Sequence, residues 1–149
     1  MQLEIPKIIP NNCSALEIEN FLDDALCDII SQRIAPLWQD SGIVKHAGPF
    51  LMAHTRKMSE YFELAKQFNA SLEQIFSNIA NPVQMIHDFV FSKTAENVQT
   101  CREGGYSYSS CIFRHFAKGQ GSPIHKDNAS NDAIKCQVSK LKQQISAVL

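Results

Sequence analysis

Apolar residues in the first half of the chain recur every three to four positions, the spacing of helices with one buried face. A capping box formed by Ser14 and Glu17 predicts where the first helix begins. Its apolar stripe comprises Ile18, Phe21, Leu22, Ala25, Leu26, Ile29 and Ile30. Residues 41–56 predict a loop with a short strand, residues 58–68 a second helix, and Ser71 the cap of a third. Residues 1–82 are therefore predicted to be mainly helical.

Beyond Pro82 the apolar positions alternate with a period of two, which is typical of strands with one buried face. The clearest strand is predicted over residues 106–117, and the same pattern predicts further strands over 83–92, 135–139 and 143–149. Helices followed by strands indicate an α+β protein with an antiparallel sheet. We therefore predict a single α+β domain over residues 1–149, with a helical part (1–82) and a strand-rich part (83–149).

The composition is that of a globular domain and excludes several kinds of partner. A net charge of −1 and the lack of a Lys/Arg-rich run argue against a nucleic-acid surface. No apolar run is long enough to span a bilayer, and the N-terminal residues lack the pattern of a secretion signal. Five cysteines without a framework spacing are typical of reduced thiols. We therefore predict a cytoplasmic protein that binds neither nucleic acid nor membranes.

The candidate chemistry lies in residues 111–128, where an alternating segment breaks at a glycine-rich turn and resumes as a second extended piece. Within that piece His125 and Asp127 are two positions apart, so on a strand both side chains leave the same face. An imidazole and a carboxylate on one face, with a third ligand from elsewhere, form the open-sided triad of non-haem Fe(II) oxygenases. His125 and Asp127 are therefore predicted as metal ligands.

Residues 116–127 resemble the start of the catalytic core in the Fe(II)/2-oxoglutarate-dependent oxygenases, especially their prolyl-hydroxylase-like branch. Phe116, Gly119 and His125 keep the intervals that this family has between an aromatic residue, a glycine and the first iron-ligand histidine. Residues 144–149 look like the family's strand after the ligand loop. The resemblance covers roughly residues 106–149 and implies that the helical half packs on an incomplete double-stranded β-helix, a jelly-roll or cupin-like sheet.

The same resemblance implies Fe(II) as cofactor, 2-oxoglutarate and O2 as cosubstrates, and His125 and Asp127 as the first two iron ligands. Phe116 stands where the family usually has a tyrosine that contacts 2-oxoglutarate, so it is expected to line that pocket. Arg114 shares the predicted strand face with Phe116. Two orientations stay open for its side chain, into the barrel mouth as a contact to the cosubstrate, or outward into solvent.

Asp127 also bears on the type of reaction. In the family that this segment resembles, members that halogenate typically have glycine or alanine at the carboxylate position, which opens a place for halide. A carboxylate there implies hydroxylation. The first hypothesis is therefore a dioxygenase of the hydroxylase type, not a halogenase, acting on an unknown small-molecule or peptidyl substrate.

The resemblance also implies a third ligand, a histidine well after the aspartate, followed by an arginine or lysine that pairs with 2-oxoglutarate. Residues 128–149 contain no histidine, so the chain is expected to be an N-terminal portion of such an oxygenase. His87 or His115 are alternative third ligands, although packing explains each more simply. The second hypothesis is a catalytically silent truncated domain that acts as an interaction or weak metal-binding module. An unpaired C-terminal strand would favour self-association.

Overall fold

The computed structural model describes residues 8–9, 15–40, 44–50, 57–121, 137–140 and 147–149. These residues contain three helices and small antiparallel sheets, which confirms the α+β prediction. The helices are α1 (Asp24–Ile34), α2 (Met58–Ile75) and α3 (Pro82–Thr94). The strands are β1 (Gln39–Asp40), β2 (Lys45–Ala47), β3 (Arg102–Glu103), β4 (Tyr106–Ser107) and β5 (Phe113–His115), and 3₁₀ turns span Ala35–Leu37 and Gln137–Lys140.

Helix α1 begins at Asp24 because the preceding residue caps it. The backbone N–H of Leu26 donates a hydrogen bond to Asp23 Oδ1 at 2.6 Å. The predicted start at the Ser14–Glu17 capping box is wrong, since Glu17 lies before the helix, and Ser14 lies outside the described residues. The helix turns one face inward through residues one turn apart: Leu26, Ile30 and Ile34.

Helix α2 is the element around which the described core is built. Its buried residues face two clusters, one shared with α1 and β2 and one formed with Tyr108. The predicted break at Ser71 is wrong, because its hydroxyl donates to the Gln67 carbonyl one turn earlier and the helix continues. Arg33 of α1 closes the far end of α2, donating from Nη1 to the carbonyls of Ile75 and Ser77 at 2.7 Å each.

Helix α3 replaces the strand predicted over residues 83–92, and that prediction is wrong. Asn81 caps the helix by accepting hydrogen bonds from the backbone N–H groups of Val83 and Gln84. Pro82 occupies the first turn, where its missing N–H has no cost. A hydrogen bond between Gln84 and Asp88, one turn apart, adds to the helix. No helix in the described part of the chain is long and apolar enough to cross a membrane.

The described strands form a three-stranded sheet in the order β1-β2-β5 and a two-stranded hairpin of β3 and β4. The hairpin turn is Gly104-Gly105, with φ of 57° and 85°, as a two-residue turn with two positive φ angles requires. The single strand predicted over 106–117 is wrong, because β4 and β5 lie in different sheets. Among these residues the sheets are small, and they do not form a double-stranded β-helix.

Between β4 and β5 the chain leaves the sheet and is held by a side chain of α2. Asn69 donates from Nδ2 to the Tyr108 carbonyl at 2.9 Å, and its Oδ1 accepts from the Ser110 N–H at 3.1 Å. The Tyr61 hydroxyl accepts from the next N–H, that of Ser109, at 3.1 Å. These backbone groups are therefore paired with the helix rather than with a neighbouring strand.

We expect Asn69→Ala to lower the free energy of unfolding by about 2 kcal/mol, because it leaves a part-buried N–H and carbonyl without partners. Chemical denaturation measures the change. Asn97→Ala, at an exposed position outside the helices and strands, is the matched control and should change stability by less than about 0.5 kcal/mol. Equal stability of the two variants would show that the Asn69 hydrogen bonds to the backbone do not stabilise the fold.

The Gln137–Lys140 turn lies where part of a strand is predicted over residues 135–139, so that prediction is wrong for its described residues. The turn is held by Glu103 of β3, whose Oε2 accepts from the Gln137 N–H at 2.8 Å and from the Tyr108 hydroxyl at 2.5 Å. The hydrogen bond from Tyr108, then that from Gln137, and the charge of Lys140 hold the pKa of the Glu103 carboxyl below its ordinary value of 4.5.

Because the pKa of Glu103 is lower in the folded chain than in the unfolded one, its carboxylate adds stability above the unfolded value. That contribution is lost as the pH falls below 4.5 toward the folded value. We expect the unfolding free energy of the wild type to fall more steeply below pH 4.5 than that of Glu103→Gln, measured by denaturation at a series of pH values. Parallel pH profiles would contradict this.

Candidate functional site

The predicted metal ligands, His125 and Asp127, lie outside the described residues. Of the two residues predicted to contact 2-oxoglutarate, Arg114 lies on β5, and Phe116 follows the end of that strand and is 38% exposed. Arg114 is exposed at the sheet surface, and its Cζ lies 5.0 Å from the centroid of the Phe50 ring. Arg114 and Phe116 are therefore near each other along the chain but do not share a strand face.

The two alternative third ligands are far apart in the architecture. His87 is half-buried on α3, and His115 is exposed on β5 with its ring centroid 6.0 Å from that of Trp38. In the described ranges no three His, Cys, Asp or Glu side chains come together as a metal site would require. The described structure therefore provides neither histidine with companion ligands.

Cys111 is a half-buried thiol that packs against the cluster shared by α1, α2 and β2. Burial raises the pKa of the Cys111 thiol to about 12. Because the thiolate is the reactive form, this thiol is not a nucleophile at neutral pH. Chemistry at this part of the molecule has to come from other groups.

A cavity of about 370 Å³ lies between α2, β2 and the residues that follow β2. One face of α2 forms a wall, through residues spaced by single turns: Leu64, Gln67, Phe68 and Ser71. Opposite it, Gly48 has a φ of 101°, and a Cβ atom there would lie 2.6 Å from Cε1 of Phe68. Only glycine permits both this conformation and this close approach. The volume is within the range of small-molecule sites.

His46 of β2 is one of the polar residues that line this cavity, together with Gln39, Gln67 and Ser71. Its ring centroid lies 4.6 Å from that of Phe50, and its partner across the strands is Arg114, which contacts the same phenyl ring. The Nδ1 atom of His46 is buried and has no hydrogen-bond partner among the described residues. A buried polar atom left unsatisfied costs about 1–3 kcal/mol. Because Nδ1 has almost no accessible surface, a molecule in the cavity reaches it only if the ring moves.

The sequence predictions do not include His46 among the site residues. Residues 41–56 are predicted as a loop with a short strand, and a histidine in such a pattern has no distinguishing feature. What brings His46 to the cavity is the pairing of β2 with β5, a contact between residues distant in sequence. The neighbouring Gly48-Pro49 is the one local feature that marks a sharp turn at this place.

Comparison with known proteins identifies the family. A family model described as "Carrier-protein-independent halogenase WelO5" matches residues 5–148, almost the whole chain. A search of curated proteins and a search of solved structures each found no match. WelO5-type halogenases depend on Fe(II) and 2-oxoglutarate, which agrees with the broad enzyme class and the cofactors predicted from residues 116–127.

The match corrects the predicted type of reaction. The hypothesis of a hydroxylase that is not a halogenase is wrong, since the family is one of halogenases. That hypothesis depended on one residue, Asp127, whereas the family match depends on the pattern of nearly the whole chain. The second hypothesis, a silent interaction module, gains no support from the match. The chain belongs to the WelO5 family of carrier-protein-independent halogenases.

Proposed function

We propose that the chain carries iron- and 2-oxoglutarate-binding residues of a halogenase that acts on a free small molecule. The observation that carries this proposal is the family match over residues 5–148. In the overall reaction a C–H bond is replaced by a carbon–halogen bond. One halide and one proton are consumed, one oxygen atom of O2 ends in water and the other in succinate, and 2-oxoglutarate is converted to that succinate and CO2.

His125 and Asp127 are the proposed iron ligands. Their donor chemistry fits Fe(II), because a neutral imidazole and a carboxylate suit this ion and leave positions open on it. Bound iron would supply the activation of O2 for the reaction. The same proposal has three further parts. The ligands lie in an incomplete double-stranded β-helix, the chain is of the prolyl-hydroxylase-like branch, and a distal histidine is the third ligand. A cytoplasmic location also stays a prediction.

Halogenation also requires that a halide bind beside the Asp127 carboxylate. If His125 and Asp127 hold iron, a halide would need a coordination position on the metal, and the Asp127 carboxylate would compete for it as an anion of the same charge. The proposal therefore requires the Asp127 carboxylate to yield its position when chloride or bromide binds. His125, as a neutral donor, does not compete with the halide in this way.

Arg114 and Phe116 are the proposed contacts to 2-oxoglutarate. The guanidinium lies over the Phe50 ring. Because this contact already restricts the Arg114 side chain, the side chain loses less conformational entropy when it binds an anion. We expect Arg114→Ala to weaken 2-oxoglutarate binding about tenfold or more, measured by anaerobic calorimetry with Fe(II) present. Arg102→Ala, at an exposed arginine of the hairpin, is the matched control. A similar affinity in both variants would exclude Arg114.

The cavity at His46 is the proposed site of the organic substrate. Among the described residues, those that line the cavity carry no carboxylate, ammonium or guanidinium group, and they offer apolar walls with a few polar atoms. Such a lining suits an uncharged molecule that is largely apolar and has few polar groups. A peptidyl substrate, predicted as an alternative, would need a longer open groove than this cavity of about 370 Å³.

Halide binding tests the proposed function without knowledge of the substrate. The chain is loaded anaerobically with Fe(II) and 2-oxoglutarate, and the visible charge-transfer absorption is followed during addition of sodium chloride. Sodium sulfate at equal ionic strength is the control for salt effects. We expect a saturable response to chloride, and a higher chloride affinity in Asp127→Gly because the competing carboxylate is gone. No chloride-specific response in either protein would contradict the proposal.

A further inference from the structure

Two glutamine side chains, those of Gln39 and Gln67, line the cavity from its two walls. Gln39 of β1 is paired with His46 of β2, so both side chains leave the same face of the sheet, and both line the cavity. Gln67 lies on α2 between Leu64 and Ser71, which line the cavity one turn before and one turn after it. The register of the sheet and the turn of the helix therefore direct both amides into the same space.

The polarity of the cavity changes from its mouth to its floor. Gln39 and Gln67 are exposed, whereas Leu64 is half-buried and Phe68 is 8% exposed. Within the described ranges, neither glutamine side-chain amide is hydrogen-bonded to another residue. The nearby Ser71 hydroxyl, in contrast, already donates to the Gln67 carbonyl. The two amides can therefore both donate to and accept from a ligand at the mouth.

We propose that Gln39 and Gln67 are specificity-determining residues that select molecules with an apolar body and an uncharged hydrogen-bonding group, a carboxamide or a hydroxyl. The body fits between the apolar walls, and its polar group stays at the mouth, where the two amides pair with it. A carboxylate is disfavoured, because it loses hydration without gaining an arginine or lysine among the described lining residues. That the selected molecule is the substrate of halogenation rests on the proposed function, whereas the preference of the cavity does not.

Three probes that differ in one group test this selection: para-methylbenzamide, para-methylbenzoate and para-xylene. Each is titrated into the isotope-labelled chain without metal, and the NMR shifts of the backbone amides of α2 report binding. We expect para-methylbenzamide to bind about tenfold more tightly than para-methylbenzoate, or better. Gln67→Leu and Gln39→Leu should each weaken para-methylbenzamide about fivefold, the loss expected for one hydrogen bond, without weakening para-xylene. Gln74→Leu, at an exposed glutamine of α2 that does not line the cavity, should bind all three probes like the wild type.

The selection is overturned if para-methylbenzoate binds as tightly as para-methylbenzamide. A glutamine variant that binds para-methylbenzamide like the wild type would exclude that residue. Equal weakening of para-methylbenzamide and para-xylene would show a change of shape rather than of hydrogen bonding, and would also overturn the selection. If no probe shifts the amides of Gln67, Phe68 and Ser71 in a saturable way, the cavity is not their site, with the same consequence. None of these results depends on iron, so the chloride titration of the iron-loaded chain decides the proposed halogenase separately.

Discussion

Replacing His125 by alanine is expected to lower the affinity of the chain for Fe(II) by about a hundredfold or more. Removing a side chain that supports a metal ligand typically costs ten- to a hundredfold, and a ligand itself contributes more. The imidazole is the nitrogen donor of the two proposed ligands, and water would have to take its place. The loss of Fe(II) affinity is measured by anaerobic titration in a calorimeter. The iron content of the protein after gel filtration is a second measure.

Two other histidines serve as controls for this substitution. His87 is half-buried on α3, so His87→Ala should lower stability while Fe(II) affinity stays within about twofold of the wild type. His115 is exposed on β5, and His115→Ala should change neither property by much. If wild type and His125→Ala bound Fe(II) equally well, the iron site would have to lie elsewhere in the chain.

Replacing Gly48 by alanine is expected to destabilise the fold by about 3 kcal/mol. The added methyl group would lie 2.6 Å from the ring of Phe68, which is buried in the core, and the backbone φ of 101° is unfavourable for any residue with a Cβ. The ring has to move into the cavity or the chain has to shift away from α2. Either movement also narrows the proposed substrate site, so ligands of the cavity should bind more weakly.

Gly119→Ala separates the two causes of this loss. Gly119 has a similar positive φ of 81°, and a Cβ added there meets no atom of the described residues within 4 Å. We expect this control to cost about 1 kcal/mol, the backbone contribution alone. The difference between the two variants, from denaturant unfolding, then measures the contact with the Phe68 ring. Equal losses would show that the close approach of Gly48 to Phe68 has no energetic consequence.

The helices show what local pattern predicts and where it fails. Helix α2 follows from its apolar spacing, and only its length is underestimated, because Ser71 bonds back to Gln67 instead of capping a new helix. Helix α3 is missed because its apolar residues occur at alternate positions as well as at helical ones. The capping residue Asn81 and Pro82 in the first turn are the stronger indication there.

The sheet is less predictable because strands depend on distant partners. Residues 106–117 alternate without interruption, yet the structure divides them between two sheets. Asn69 and Tyr61 of α2 bind the backbone of the intervening residues, and this tertiary contact cannot be read from alternation. The same limit applies to His46, which enters the cavity through the pairing of β2 with β5.

Part of the candidate site could also be predicted from the sequence, and part could not. The resemblance of residues 116–127 to known oxygenases implies the Fe(II)/2-oxoglutarate class, and the family match supports that class. The type of reaction was not predictable from Asp127. A single carboxylate shows which donor is present, whereas the fate of a halide depends on how readily that donor leaves the iron. That property depends on the surroundings of the ligand, which a short motif does not contain.

The most direct test of the proposed halogenase asks whether a halide reaches the iron. Iron K-edge X-ray absorption of the anaerobic complex of the chain with Fe(II), 2-oxoglutarate and bromide detects bromine as a heavy neighbour of the metal. The account predicts a bromine scatterer in the first shell of the wild type, more occupied in Asp127→Gly and lost with the iron in His125→Ala. A first shell of nitrogen and oxygen alone, in wild type and Asp127→Gly with iron bound in both, would contradict it.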